Sequence, residues 1–245
     1  MKLIGLMRVR DEARWIERAV AAMRAVCDEV LVLDDHSRDD TPRLAAEAGA
    51  MVIPSPFPDR LDEVRDKNYL LARAGERVEG ETWLLMMDGD EVLVPDARST
   101  IRAMIARRLS SVYSVKILYV WDREDQVRVD GIYGRFLRPS LWLYHPSDRF
   151  RSTCVGGLHC GNVPRRVNGA PPVCATTLHY GYLHREDRIR KFHWYRRVDP
   201  NNRVEDGYRH MVLGDLPEYP ATMTTRWAGP LTLRPLECVL ASCAS

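Results

Sequence analysis

The sequence predicts a doubly wound α/β fold: a mostly parallel sheet flanked by helices, with a mixed edge and a helical C-terminal segment. Three observations lead there. Short apolar runs alternate with amphipathic stretches through the first hundred residues; polar turns rich in Gly, Pro and Asp separate them; and beyond about residue 110 the pattern changes to β-branched and aromatic runs with a period of two.

Taken in order, Lys2 to Met7 reads as a buried strand, and Asp11 to Ala25 as a helix with Ile16, Ala19, Val20 and Met23 on one stripe. VLVL, Val30 to Leu33, is a second strand. DDHSRDDTP then makes a polar turn in which Asp40 or Thr41 caps a short helix and Pro42 suits its first turn. A third strand is Met51 to Ile53, followed by a proline-rich loop, a helix from about Leu61 to Ala74 and the apolar strand TWLLMM. Such alternation implies parallel pairing through right-handed crossovers. A helix from about Asp96 to Arg107 closes this half. SVYSVKILYVWDREDQVRVDG and GRFLRPSLWLYH read as strands pairing partly antiparallel at one edge. One further helix runs from about Glu186 to Val198, and beyond about Tyr219 no period is clear. The expected organisation is residues 1–110 as an α/β half, 111–218 as the remaining part of the same domain, and 219–245 as a tail or lid.

Composition bounds the function. The chain has 245 residues, 45% hydrophobic and 29% charged, and a formal net charge of +2, which suits a globular core and argues against a nucleic-acid partner. The opening apolar run is too short for a signal peptide, and no segment reaches membrane-spanning length. Six cysteines, at 27, 154, 160, 174, 238 and 243, show no metal-ligand spacing. They read as reduced thiols of a cytoplasmic protein, with peripheral membrane association and homodimer formation left open.

The chemistry lies in three acidic clusters placed after strands: Asp11 and Glu12, Asp34 and Asp35, and Asp88, Asp90 and Glu91. In a parallel sheet all three fall on one rim, where ligands bind. The stretch MMDGDEVLVP, Met86 to Pro95, gathers three carboxylates around Gly89. Carboxylates so close repel, so a positive partner is expected between them, and a divalent metal is the obvious candidate. Asp88 and Asp90 share a side of an extended segment, and hard oxygen ligands suit Mg²⁺ or Mn²⁺.

The motifs RVRDEARWIERAV, VLVLDDHSRDDT, VRDKN and LLMMDGDEVL, in that order, resemble the nucleotide-sugar-dependent glycosyltransferases of family 2, which have the GT-A, Rossmann-like fold. The resemblance spans roughly residues 2 to 200. It departs from the family at Asp11, usually Asn, and at His36, often a small residue.

It implies a metal-dependent enzyme that moves a sugar from a nucleoside diphosphate sugar to an acceptor hydroxyl with inversion. The acceptor would be a glycan, a lipid-linked molecule or a small natural product. By the same resemblance, Arg8, Arg10 and Glu12 line the base and ribose, Asp34 or Asp35 accepts a hydrogen bond from the base, and Arg65 reaches the nucleotide. Asp88, beside Gly89, meets ribose or metal; Asp90 ligates Mn²⁺ or Mg²⁺; and His179, in TTLHYGYLH, supplies a third ligand. For the catalytic base, relatives often carry His followed by Glu, where this chain has His159 followed by Cys160. His159, Asp148 and Glu91 are the candidates. Tyr133, Trp142 and Tyr144 are candidates for a sugar-stacking wall.

The alternatives are a sugar nucleotidyltransferase, whose glycine-rich phosphate loop LIGLMRVRDEA lacks, and a non-catalytic nucleotide-sugar-binding protein. A phosphoaspartyl phosphatase fails on the spacing of LVLDDHSRDDT.

Overall fold

The structure, a computed structural model, describes residues 1–151, 160–164, 170–200 and 206–242. Its strands are β1 (Lys2–Val9), β2 (Glu29–Asp34), β3 (Met51–Pro54), β4 (Thr82–Met87), β5 (Glu91–Leu93), β6 (Val112–Trp121), β7 (Arg123–Arg128), β8 (Leu137–Leu143), β9 (Val173–His179) and β10 (Leu233–Pro235). The helices are α1 (Ile16–Val26), α2 (Thr41–Glu47), α3 (Glu63–Gly75), α4 (Ala97–Arg107), α5 (Arg185–Val198) and α6 (Leu236–Ala241). Two compact units emerge, Met1–Lys116 with Leu137–Thr177, and Ile117–Phe136 with Leu178–Ser245.

In the first unit β3, β2, β1 and β4 lie side by side in that order and pair in parallel. β8 then runs antiparallel to β4, and the opening residues of β6 antiparallel to β8. This is the mixed α/β sheet with mostly parallel central strands that the alternation predicts. The central strands are apolar on both faces because helices cover both: all six residues of β4 are buried. The α1 stripe Ile16, Ala19, Val20 and Met23 is fully buried against the sheet. Gly5 permits that closeness, since a Cβ there would stand 2.6 Å from the Met23 Cε.

The expected helix from Asp11 begins instead at Ile16. The cause is local: Asp11 has a left-handed φ of 53°, and the amides of residues 11 to 13 are taken by side chains of the β2–α2 loop. Ser37 Oγ accepts from the Asp11 amide, Thr41 Oγ1 from Glu12 and Asp39 Oδ2 from Ala13. A left-handed residue breaks a right-handed helical turn, so α1 starts beyond it.

In the second unit β6 from Ile117, β7 and β10 form an antiparallel ladder. The buried Trp121 ring lies between two buried arginines, with Arg128 Cζ at 4.7 Å and Arg188 Cζ at 4.3 Å from its centroid. Arg188 forks onto Asp215 at 2.6 and 2.7 Å, and Arg128 onto Asp130 at 2.9 Å twice.

The two compact units part within β6, between Lys116 and Ile117, close to where the sequence pattern changes at about residue 110. The segment beyond Tyr219 is structured, its β10 pairing with β7 and leading into α6. Three residues of strand and six of helix are too few for a period to show. Tyr133 and Trp142, expected as sugar-stacking aromatics, are core residues at 1% and 0% exposure. The cysteines described, Cys27, Cys160, Cys174 and Cys238, are free thiols, and no described helix is long and apolar enough to cross a membrane.

Candidate functional site

Sheet order 3-2-1-4 makes the chain reverse its direction of travel across the sheet between β1 and β4, so the loops beyond their carboxyl ends part and leave a crevice. Arg8 and Val9 end β1, Asp34 ends β2 with Asp35 just beyond it, and the DGD turn follows β4. The three predicted acidic clusters therefore lie on one rim of the first unit.

A chain of charges crosses this rim. Arg8 donates to Asp35 Oδ2 through Nη2, and to Asp66 Oδ2 through Nε at 3.3 Å and Nη2 at 3.2 Å. Arg65 holds the other oxygen of Asp66 through Nε at 2.8 Å, donates to the Arg60 carbonyl at 2.9 Å, and lies 4.5 Å from the centroid of the Phe57 ring. Burial pushes the Asp66 carboxyl above the usual carboxylate range, against the opposing pull of Arg65 and Arg8. Asp35 is fully buried, and its Oδ1, like Asp34 Oδ1, has no hydrogen-bond partner among the described residues. Buried acceptors left open in this way are costly unless a donor arrives.

The DGD turn has a cation between its carboxylates, and it is an arginine. Arg138, on β8, donates Nη1 to Asp88 Oδ2 at 2.8 Å and Nη2 to Glu91 Oε2. Glu91 Oε2 also accepts the Asp88 amide at 3.1 Å, closing the turn. Glu91 is fully buried, and burial pushes its carboxyl up to about 7, with Arg138 opposing and Asp88 and Asp90 reinforcing. Gly89 packs on the end of β1: a Cβ there would meet Val9 Cγ1 at 2.9 Å and Glu12 Cγ at 3.1 Å.

The other predicted site residues fall as follows. Arg10 binds Asp59 at 2.6 Å, and its Nη1 is 3.9 Å from Asp35. Glu12 is on the rim, with its amide held by Thr41. Arg65, expected to reach the nucleotide, holds Asp66 through Nε. Asp148 caps a turn, accepting the His145 amide at 2.9 Å and the Trp142 indole at 3.2 Å, and it is buried. His159 lies outside the described residues. His179 belongs to the second unit, where its ring centroid is 4.9 Å from Tyr119 and 4.7 Å from Tyr182. A third-ligand role for it rests on the resemblance alone.

Sequence reasoning missed Arg138, Asp66, Asp39 and Lys67. Asp66 and Lys67 were in plain view within VRDKN. Lys67, buried, donates to the Cys160 carbonyl at 2.7 Å and to Asn162 Oδ1 at 3.0 Å, and Asn162 donates to the Met86 carbonyl at 3.2 Å. Arg138 carries no local signal, because its partners lie 47 and 50 positions earlier.

The donor set of the turn suits a hard divalent cation. Asp88 and Asp90 offer only carboxylate oxygen, and Asp88 has 47% of its side chain open. Mg²⁺ and Mn²⁺ are commonly held by one or two carboxylates together with substrate phosphates. Among the described residues no three His, Cys, Asp or Glu side chains form a ready cage.

No family model matches the chain. A TPR repeat-containing protein of Synechococcus elongatus is 33% identical over 145 residues, 59% of this chain and 32% of the relative. An uncharacterised glycosyltransferase of Rickettsia felis is 30% identical over 140 residues, 56% of this chain and 47% of the relative. The chain thus spans a third to a half of the length of these relatives. An uncharacterised protein of Mycobacterium tuberculosis is 24% identical over 222 residues, 84% of this chain and 53% of the relative. Among solved structures, residues 1–349 of S. aureus TarS share 21% identity at a TM-score of 0.42, over 50% of this chain and 37% of that one. Glucosyl-3-phosphoglycerate synthase of Mycobacterium tuberculosis with Mg²⁺ and UDP shares 23% at a TM-score of 0.38, over 48% and 43%. The mostly parallel α/β fold and the sequence likeness to glycosyltransferases agree with the resemblance carried by the motifs.

Proposed function

We propose that the chain is a divalent-metal-dependent glycosyltransferase of family 2 type that moves a sugar from a nucleoside diphosphate sugar to an acceptor hydroxyl, with inversion. The observation that carries this is the acidic rim at the β1/β4 switch point, where the DGD turn and the Asp34–Asp35 pair lie on one edge of the parallel sheet. Likeness to named glycosyltransferases over the amino-terminal part supports it.

In this assignment the open oxygens of Asp34 and Asp35 accept N–H donors of the base, and Arg8, braced by Asp66, holds Asp35 in place. Asp88 and Asp90 hold the cation, which offsets negative charge on the departing diphosphate. The acceptor oxygen bonds to the anomeric carbon as the bond from that carbon to the phosphate oxygen breaks, the leaving diphosphate taking the electron pair. A base removes the acceptor proton. Glu91 and Asp148 each accept internal hydrogen bonds, and His159 is assigned as the base.

A thermal-shift screen of UDP, GDP, dTDP and CDP sugars with and without Mn²⁺ tests the assignment, because a ligand bound only by the native state raises its melting temperature. A metal-dependent rise with one nucleotide family is expected. No shift with any pair would overturn it.

A further inference from the structure

We propose that Arg138 is an internal counter-cation that competes with the divalent metal for Asp88, and so sets the metal affinity of the DGD turn. The inference rests on the metal-dependent function proposed above.

Three features lead to it. The guanidinium spans the turn, one nitrogen on Asp88 Oδ2 at 2.8 Å and another on Glu91. Its anchor is rigid: Arg138 is paired on β8 with Val115 of β6, and β8 is paired in turn with β4, the strand that launches the turn. Its two acids differ in environment. Glu91 is fully buried, so that contact is fixed, whereas Asp88 keeps 47% of its side chain open to solvent. A contact with an open carboxylate is the one that an incoming cation can take over.

Charge gives the direction. Asp88 and Asp90 bring two negative charges that one divalent ion would balance, and the guanidinium of Arg138 sets a positive charge against that ion. Without Arg138 a cation meets more negative charge and no guanidinium on Asp88 Oδ2. Arg138 is thus a positioning residue acting through Asp88. It holds the turn together without metal and weakens the ion's grip, which lets metal and diphosphate leave together after transfer.

Mn²⁺ titration of the full chain, followed by the loss of the free-ion electron paramagnetic resonance signal, tests this without any turnover. Arg138→Gln should bind Mn²⁺ about tenfold more tightly than the parent, a modest effect for a unit charge in a partly solvated site. Arg138→Lys, which keeps the charge but not the fork, should fall between them. In an Asp88→Asn background Arg138→Gln should change the affinity little. Equal or weaker Mn²⁺ binding by Arg138→Gln, with native circular dichroism, would overturn the inference alone. If that variant fails to fold, Arg138→Lys decides by the same criterion. A parent chain that binds no Mn²⁺, even with UDP present, would overturn the metal-dependent function and this inference together.

Discussion

Arg8 and Asp66, 58 positions apart in the chain, are joined on the rim by two hydrogen bonds to one carboxylate oxygen. Asp66 is fully buried and Arg8 nearly so, and Arg65 holds the opposite oxygen. Asp66→Ala would leave Arg8 with Asp35 alone and Arg65 without its carboxylate, and breaking a buried pair from one side costs about 3–5 kcal/mol. Urea unfolding should show a loss of that order with an unchanged m-value. A loss below about 1 kcal/mol would mean that Arg8 finds full compensation in Asp35.

The same residue fixes a pH dependence. Burial, opposed by Arg65 and Arg8, raises the folded-state pKa of Asp66, so between the ordinary carboxylate value and the raised one the native state binds the extra proton. Its contribution to stability is therefore most favourable below the unfolded value and declines as pH rises through the window above about 4. Asp66→Asn should flatten that part of the stability–pH curve. An unchanged slope would place the proton elsewhere.

Gly89 is the narrowest point of the DGD turn. An added Cβ would press on Val9 Cγ1 at 2.9 Å and Glu12 Cγ at 3.1 Å, and overpacking of this kind costs about 1–3 kcal/mol. Gly89→Ala should lower the melting temperature by several degrees and weaken metal-dependent nucleotide binding, because relief comes by moving the turn off β1. Thermal unfolding and calorimetric titration check the two effects. Full nucleotide affinity in the variant would show that Glu12 moves instead.

Much of this was legible in the sequence, and unevenly so. The strands β1 to β4 announce themselves because burial on both faces demands unbroken apolar runs, and the acidic clusters stand out against them. Gly89 signals a close approach through its residue type. Arg138 could not be found this way: it meets Asp88 only through the pairing of β8 with β4, and pairing partners are not written locally. The late start of α1 was hidden for the same reason, since the left-handed Asp11 before it belongs to a segment whose amides Ser37, Asp39 and Thr41 take from another loop. Arg138 meets Asp88 and Glu91 of that turn, beside the aspartates for which the sequence reading expects a metal.

In the proposed assignment His159 is the base. His159→Ala should lower kcat by about 10²–10⁴ while calorimetric nucleotide affinity stays within twofold of the parent. A variant with parental kcat would return the role to Asp148 or Glu91.

Asp35 and Asp90 lie on the same rim but should fail differently. Asp35 lies just beyond β2 and its open Oδ1 is assigned to the base, so Asp35→Ala should weaken nucleotide binding about 10- to 100-fold, the worth of one hydrogen bond to a charged group, by the same factor with and without Mn²⁺. The fold tolerates the change, since Arg8 retains Asp66. Asp90 follows β4 and is assigned to the cation, so Asp90→Ala should leave metal-free UDP affinity unchanged and abolish its enhancement by Mn²⁺. Removing one of three neighbouring carboxylates relieves repulsion there, and the melting temperature should hold or rise. Calorimetric titration of UDP into both variants, each with and without Mn²⁺, separates the roles in four measurements. If the Asp35→Ala loss is confined to the Mn²⁺ arm, Asp35 acts on the phosphates; if Mn²⁺ still tightens UDP binding in Asp90→Ala, the cation is held by other groups.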